Sequence, residues 1–170
     1  LPGQDADLAE LAARVTVDEV FEMRKLLENK AVEQATRRWD GDDVSRLRSA
    51  LDAMRDVDPV GYHEADMTFH RTVVELARNA VLQQVYEASL TLFFKLPGFW
   101  RVFAPSTTPP GETAPAASGP AIITGWKGHV PIVDAIEARD AATAVAVNTD
   151  LLDRVSSALK SRIAAVNGHA

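Results

Sequence analysis

In HEADMTFHRTVVELA (63–77), Asp66 and His70 stand four residues apart. A helix turning once in about 3.6 residues stacks them on one face, so a carboxylate and an imidazole, both able to bind metal, share an edge. A third such group lies far downstream in GWKGHVPIVDAIEARD (125–140). There Trp126, His129, Val133 and Ile136, with Ile122 before them, recur at helical spacing, which directs the His129 imidazole into an apolar interior. The spacing predicts helices in both segments and an internal metal or anion site between them.

The rest of the composition narrows what that site can be. A chain of 170 residues with 46% apolar side chains has the size and character of one globular domain with a real core. Twenty-four acidic against eighteen basic residues give a net charge of −6, and the basic ones fall in short pairs (Arg37/Arg38, Arg46/Arg48, Lys160/Arg162) mixed with carboxylates. That pattern opposes direct binding of a polyanion. The absence of cysteine excludes disulfides and thiolate ligands and leaves imidazole, carboxylate, amide and water; it favours a cytoplasmic setting without fixing the compartment. No apolar run approaches the roughly 20 residues needed to cross a bilayer, and no membrane partner is expected. The chain starts at Leu1 rather than methionine, which suggests a processed product or a fragment of something longer.

Local signals divide the chain into six or seven helices. After a short helix around Ala6 to Val15, Thr16 caps a long one (VTVDEVFEMRKLLENKAVEQATRRW, 15–39), with Glu19 as its capping-box partner and an inward stripe of Val20, Met23, Leu27, Ala31 and Ala35; Arg24 sits on the stripe's edge. Asp40-Gly41 ends it, and Asp42 caps a second helix carrying Val44, Leu47, Leu51 and Met54. Asp58-Pro59 starts the third, which carries Asp66 and His70 to about Arg78. Asn79 begins the fourth (AVLQQVYEASLTLFFKL, 80–96), apolar on most faces and so expected to be largely buried until Pro97-Gly98 breaks it near Phe99, Trp100 and Arg101. APSTTPPGETAPAASGP (104–120), with five prolines and no large apolar residue, reads as a loop. The fifth helix contains Pro131, which is expected to kink it close to His129. Asp140 caps the sixth, whose inward face runs Ala144, Asn148, Leu151, Val155, Leu159 and Ile163. No strand is predicted, so the class is all-α, an antiparallel bundle enclosing a polar cavity.

Three of these fragments together resemble the C-terminal effector domain of the FadR subfamily of GntR-type bacterial transcription regulators, the FCD domain. VFEMRKLLENKAVEQA (20–35) is similar to the family's opening helix with its Arg-x-x-Leu-Glu core at Arg24, Leu27 and Glu28. HEADMTFHRTVVELARNAVLQQV (63–85) resembles its Asp-x-x-Phe-His segment and the asparagine turn after it, and GHVPIVDAIEARDAATAVAV (128–147) its later histidine helix. The resemblance covers nearly the whole chain, taken as a single domain over 1–170 with 104–120 as an insertion. It implies a helical bundle holding a divalent metal, commonly bound by one Asp and three His, beside an effector. It implies also a homodimer, and DNA binding through a winged helix-turn-helix that nothing in this chain matches. The family's fourth ligand falls here at Leu151, which cannot bind metal; one turn earlier stands Asn148, a weak ligand or an orienting group.

The expected metal ligands are thus Asp66, His70 and His129, with Asn148, Arg24, Lys95, Arg101 and Trp126 as effector contacts or weak ligands. His63, one turn before Asp66, is the substitute for the missing fourth ligand but is more simply an exposed residue near the helix start. Zinc is the default ion from availability, with nickel, manganese and iron equally allowed by the ligand chemistry, and three ligands rather than four imply a domain that purifies partly or wholly apo. The expected function is sensing of a small organic acid, with no catalysis. The rivals are a metalloenzyme built on two histidines and one carboxylate, and a metal-free dimerisation module.

Overall fold

The computed structural model describes residues 10–57, 59–96 and 125–167. Besides helical residues 10–12, the described residues form α1 (Val17–Arg38), α2 (Gly41–Asp52), α3 (Pro59–Leu76), α4 (Ala80–Phe94), α5 (Val130–Glu137) and α6 (Ala141–Asn167), with a 3-10 turn at Trp126–Gly128 leading into α5. No strand occurs among the described residues. The bundle is organised on α1, which packs against α3, α4, α5 and α6. Residues 6–9 of the expected first helix, the Pro97-Gly98 break, Phe99, Trp100, Arg101, the proline-rich 104–120 segment, Ile122 and Asp58 lie outside the described residues, while 10–12 of that helix are helical.

Helix starts follow the capping signals. Thr16 and Glu19 form the expected reciprocal box, the Thr16 amide donating to Glu19 Oε2 at 2.7 Å. The amide of Leu82 donates to Asn79 Oδ1 at 3.1 Å, and that of Thr143 to Asp140 Oδ1 at 3.0 Å. The cap of α2 is Asp40 rather than Asp42: Gly41 is already helical, and Asp40 and Asp43 exchange side-chain to backbone bonds. Helix α3 stops at Leu76, two residues short of expectation, because Arg78 takes a left-handed backbone (φ 49°) that closes the helix before Asn79 opens the next. Pro131 lies in the first turn of α5, where its missing N–H is an orphan donor anyway, so it starts the helix instead of kinking it.

Two faces differ from the apolar stripes. On α1, Met23 is 46% exposed, and the buried side chains are Val20, Phe21, Arg24, Leu27, Glu28, Ala31, Val32, Ala35 and Thr36. The buried face keeps Val20, Leu27, Ala31 and Ala35 of the apolar reading and widens on the side away from Met23, which takes an arginine and a glutamate inside. On α4, Val81 and Val85 face solvent while Leu82, Tyr86, Leu90 and Phe93 are buried, so this helix is amphipathic rather than buried all round. Phe69, Leu76, Tyr86, Ile132, Ile136 and Leu151, all essentially inaccessible, join α3, α4, α5 and α6 in one core.

Candidate metal centre

Two chain segments converge at the centre of this bundle. Asp66 and His70 sit one turn apart on α3, and His129 stands at the N-cap position of α5, where the 3-10 turn swings it inward. That turn opens on Gly125 at φ 63°, a conformation glycine adopts without strain. His129 Nε2 lies 3.0 Å from Asp66 Oδ1, and His70 Nε2 lies 3.9 Å from Asp66 Oδ2. One donor atom from each of the three residues falls within 4.8 Å of the other two. The two imidazoles are inclined at 68° with centroids 5.3 Å apart, and Phe69 packs against both. His70 and His129 are buried, whereas the Asp66 side chain is 20% exposed and forms the open side of the cluster.

A buried charged layer lies behind the cluster. Glu28 Oε1 accepts from Arg24 Nε at 2.9 Å and from the Tyr86 hydroxyl at 3.3 Å, and Arg24 Nη2 lies 2.8 Å from it. The other carboxylate oxygen, Oε2, lies 3.0 Å from His70 Nδ1. Arg24 itself is covered by the rings of Phe21 and Phe93, with its guanidinium carbon 5.4 and 5.0 Å from their centroids. Four charged or titratable groups from α1 and α3 therefore run in a line, Arg24, Glu28, His70, Asp66, and end on His129.

Burial pushes both carboxyls in this line upward, and the neighbouring polar and charged groups overcome it. For Glu28 the Arg24 guanidinium and then His70 prevail and bring the carboxyl to about 2; for Asp66 the His129 contact, the His70 and His129 imidazoles and Arg24 do the same, again to about 2. Burial lowers the proton affinity of His70, but the Glu28 carboxylate outweighs it and the net shift is upward. Against ordinary values of 4.5 and 3.8, both carboxyls are depressed in the folded protein. Their contribution to stability is therefore complete above roughly pH 4.5 and is lost as pH falls toward about 2. The chelator-treated domain is expected to lose helicity across that window by far-UV circular dichroism, and an acid midpoint unmoved by Glu28→Leu combined with Arg24→Met would contradict the assignment.

The donor set fits a divalent cation. His129 Nδ1 is paired with the carbonyl of Gly125 at 3.3 Å, which as a donor contact leaves the Nε2 lone pair turned toward Asp66. His129 Nε2, at the heart of the cluster, is buried and makes no aligned hydrogen bond, although Asp66 Oδ1 is 3.0 Å away. A buried nitrogen close to a carboxylate but off line with it calls for a further partner, and an ion held by two imidazoles and a carboxylate satisfies the borderline-soft chemistry of zinc or nickel.

The other expected site residues scatter. Asn148 is buried on α6, where its Nδ2 donates to Asn29 Oδ1 at 2.8 Å, and Asn29 in turn donates to Thr149 Oγ1 at 2.8 Å. Arg24 is wholly interior, not on an edge, and its Nε and Nη2 are turned to Glu28. Lys95 is exposed just after α4. Trp126 is half-buried beneath the Arg55 guanidinium, whose central carbon is 4.1 Å from its ring centroid. His63 is half-buried rather than exposed, edge-on to Phe94 at 5.3 Å, and Leu151 is fully buried in the core. Glu28 and Tyr86 are the participants that sequence reasoning did not place at the site. The signal for Glu28 was its spacing of four from Arg24, which is as common on exposed helix faces.

The family model of the FCD domain matches residues 19–154, and the chain belongs to that family, the effector-binding domain of FadR-type GntR transcription regulators. It is accordingly a regulator domain and not an enzyme. Eleven chains of solved structures match it; one is E. coli McbR/YncC, at 15% identity and a TM-score of 0.68, over 85% of this chain and 68% of that one. At that identity the likeness is one of fold. No curated protein matches the chain.

Proposed function

We propose that this domain senses a small organic acid at a divalent metal held by Asp66, His70 and His129, and that it does so as a homodimer whose DNA contacts are made by a winged helix-turn-helix domain outside this chain. The observation that carries the reading is the convergence of three donors from α3 and the start of α5 inside a helical bundle, with Asp66 on its accessible side. A cation bound there supplies positive charge and open coordination positions for a carboxylate. His70 and His129 hold their places through contacts on the far side of each ring, to Glu28 and Gly125. Trp126 and Asn148 are the first candidates for effector contact. Lys95, exposed, and Arg101 are secondary ones, while Arg24 acts first on Glu28. An acid that draws α3 and α5 together favours one helix arrangement over another, and that differential binding is what would couple effector to operator affinity. Zinc is the default ion, with nickel, manganese and iron the alternatives. Among the described residues no helix is long and apolar enough to cross a membrane, in keeping with a cytoplasmic regulator.

The test is a thermal-shift panel of mono-, di- and tricarboxylic acids on chelator-stripped and zinc-loaded protein. At least one acid is expected to raise the melting temperature of the loaded form and to leave the stripped form unchanged. Equal shifts in both would move the effector site away from the metal, and zinc binding without any acid effect would reduce the domain to a metal-stabilised dimerisation module.

A further inference from the structure

Resting on that metal reading, we infer that Glu28 is the positioning residue of the centre: it fixes the His70 ring so that Nε2 is turned to Asp66 and His129, and Arg24 and Tyr86 exist in the interior to hold Glu28 for that task. The geometry is directional. His70 has one nitrogen on each side of its ring, Nδ1 at 3.0 Å from Glu28 Oε2 and Nε2 at 3.9 Å from Asp66 Oδ2. A carboxylate beside Nδ1 selects the tautomer protonated there, which leaves the lone pair on the nitrogen facing the other two donors. Oε1 is occupied by Arg24 and Tyr86, which come from different helices, α1 and α4, so the carboxylate has little freedom to turn away from the ring.

The energetics argue against a purely structural reason for this layer. Arg24 and Glu28 are 2% and 1% exposed, and a buried ion pair is commonly no more stabilising than apolar side chains of the same volume. Phe21 and Phe93 already line the arginine, so an apolar pair would complete a continuous core there. The polar pair leaves one oxygen, Oε2, pointed at His70. The second histidine is treated in parallel, with a backbone carbonyl, Gly125 O, standing behind His129 Nδ1. Both imidazoles thus present Nε2 inward and are backed on Nδ1 by an acceptor, one from a side chain and one from a turn.

The experiment compares wild type, Glu28→Gln, the doubly apolar Arg24→Met/Glu28→Leu and, as a ligand control, His70→Ala. Zinc is titrated calorimetrically into chelator-stripped protein, and the His70 tautomer is read from long-range proton–nitrogen correlations of metal-free 15N-labelled samples. The wild type is expected to show His70 protonated at Nδ1 and to bind one zinc. Both Glu28 variants are expected to lose that tautomer preference and to bind zinc about 10- to 100-fold more weakly, with the double variant folded and close to wild type in stability. A folded double variant with wild-type zinc affinity and an unchanged tautomer would overturn the inference while leaving the metal centre intact. Failure of the metal reading itself looks different: wild type and His70→Ala would then give the same titration, with no bound ion in either.

Discussion

Arg24→Met alone is expected to destabilise the metal-free domain by about 3–5 kcal/mol, since it leaves the Glu28 carboxylate in the interior without its guanidinium partner. For a chain of this length that corresponds to a fall in melting temperature of roughly 6–20 °C, and it is a large share of the about 5–15 kcal/mol that holds a typical domain together. The His70 Nδ1, 3.0 Å away, and the Tyr86 hydroxyl would be the remaining polar neighbours of Glu28. Adding Glu28→Leu should restore most of the loss despite removing more native contacts, because the stranded charge disappears. Urea unfolding of the two variants in the presence of a chelator measures the difference. If single and double variants are equally unstable, the cost lies in lost packing on Phe21 and Phe93 and not in an unpaired charge.

The second large effect concerns the ion. Asp66→Asn keeps the shape of the side chain and removes the one carboxylate of the donor set, and His129→Ala removes a donor supplied by a separate segment. With three protein donors sharing the binding energy, each substitution is expected to cost roughly 3 kcal/mol, or about 100-fold in zinc affinity. The rise in melting temperature on adding zinc to wild type should shrink accordingly, since stabilisation by a ligand follows its concentration relative to its dissociation constant. Calorimetric titration of stripped protein gives both quantities. Undiminished affinity in both variants would mean that the ion sits elsewhere and that the contact of His129 with Asp66 at 3.0 Å is an ordinary core pairing.

What could be read from the chain beforehand was local. Thr16 with Glu19, Asn79 and Asp140 act within one helical turn, and each caps where its residue type says it should. Asp66 and His70 were legible for a similar reason, since they need only helical spacing; His129 is buried with Val133 and Ile136 as the period implies, yet it stands before α5 begins, after a 3-10 turn whose Trp126 is only half-buried. The orientation of α1 was not. An apolar count places Met23 inward and Arg24 at the margin, whereas the structure reverses them, because Arg24 and Glu28 neutralise each other across one turn and so offset much of the penalty on burying either. That compensation belongs to the pair, and Tyr86, which also reaches Glu28, comes from another helix altogether. The role of Pro131 was hidden for a different reason. Whether a proline begins a helix or bends one depends on the backbone just before it, here a turn opened by Gly125, and no side-chain pattern records that.

The position of His129 at the very beginning of α5 has a consequence for how the domain would respond to losing its ion. Asp66 and His129 are about sixty residues apart along the chain, and holding two such distant points together opposes a substantial loop-closure entropy. A cation shared between them would act as a removable staple across that loop. Its departure would loosen first the short turn that aims the imidazole, so that ion occupancy would be written into the order of one small corner while the long helices on either side keep their packing.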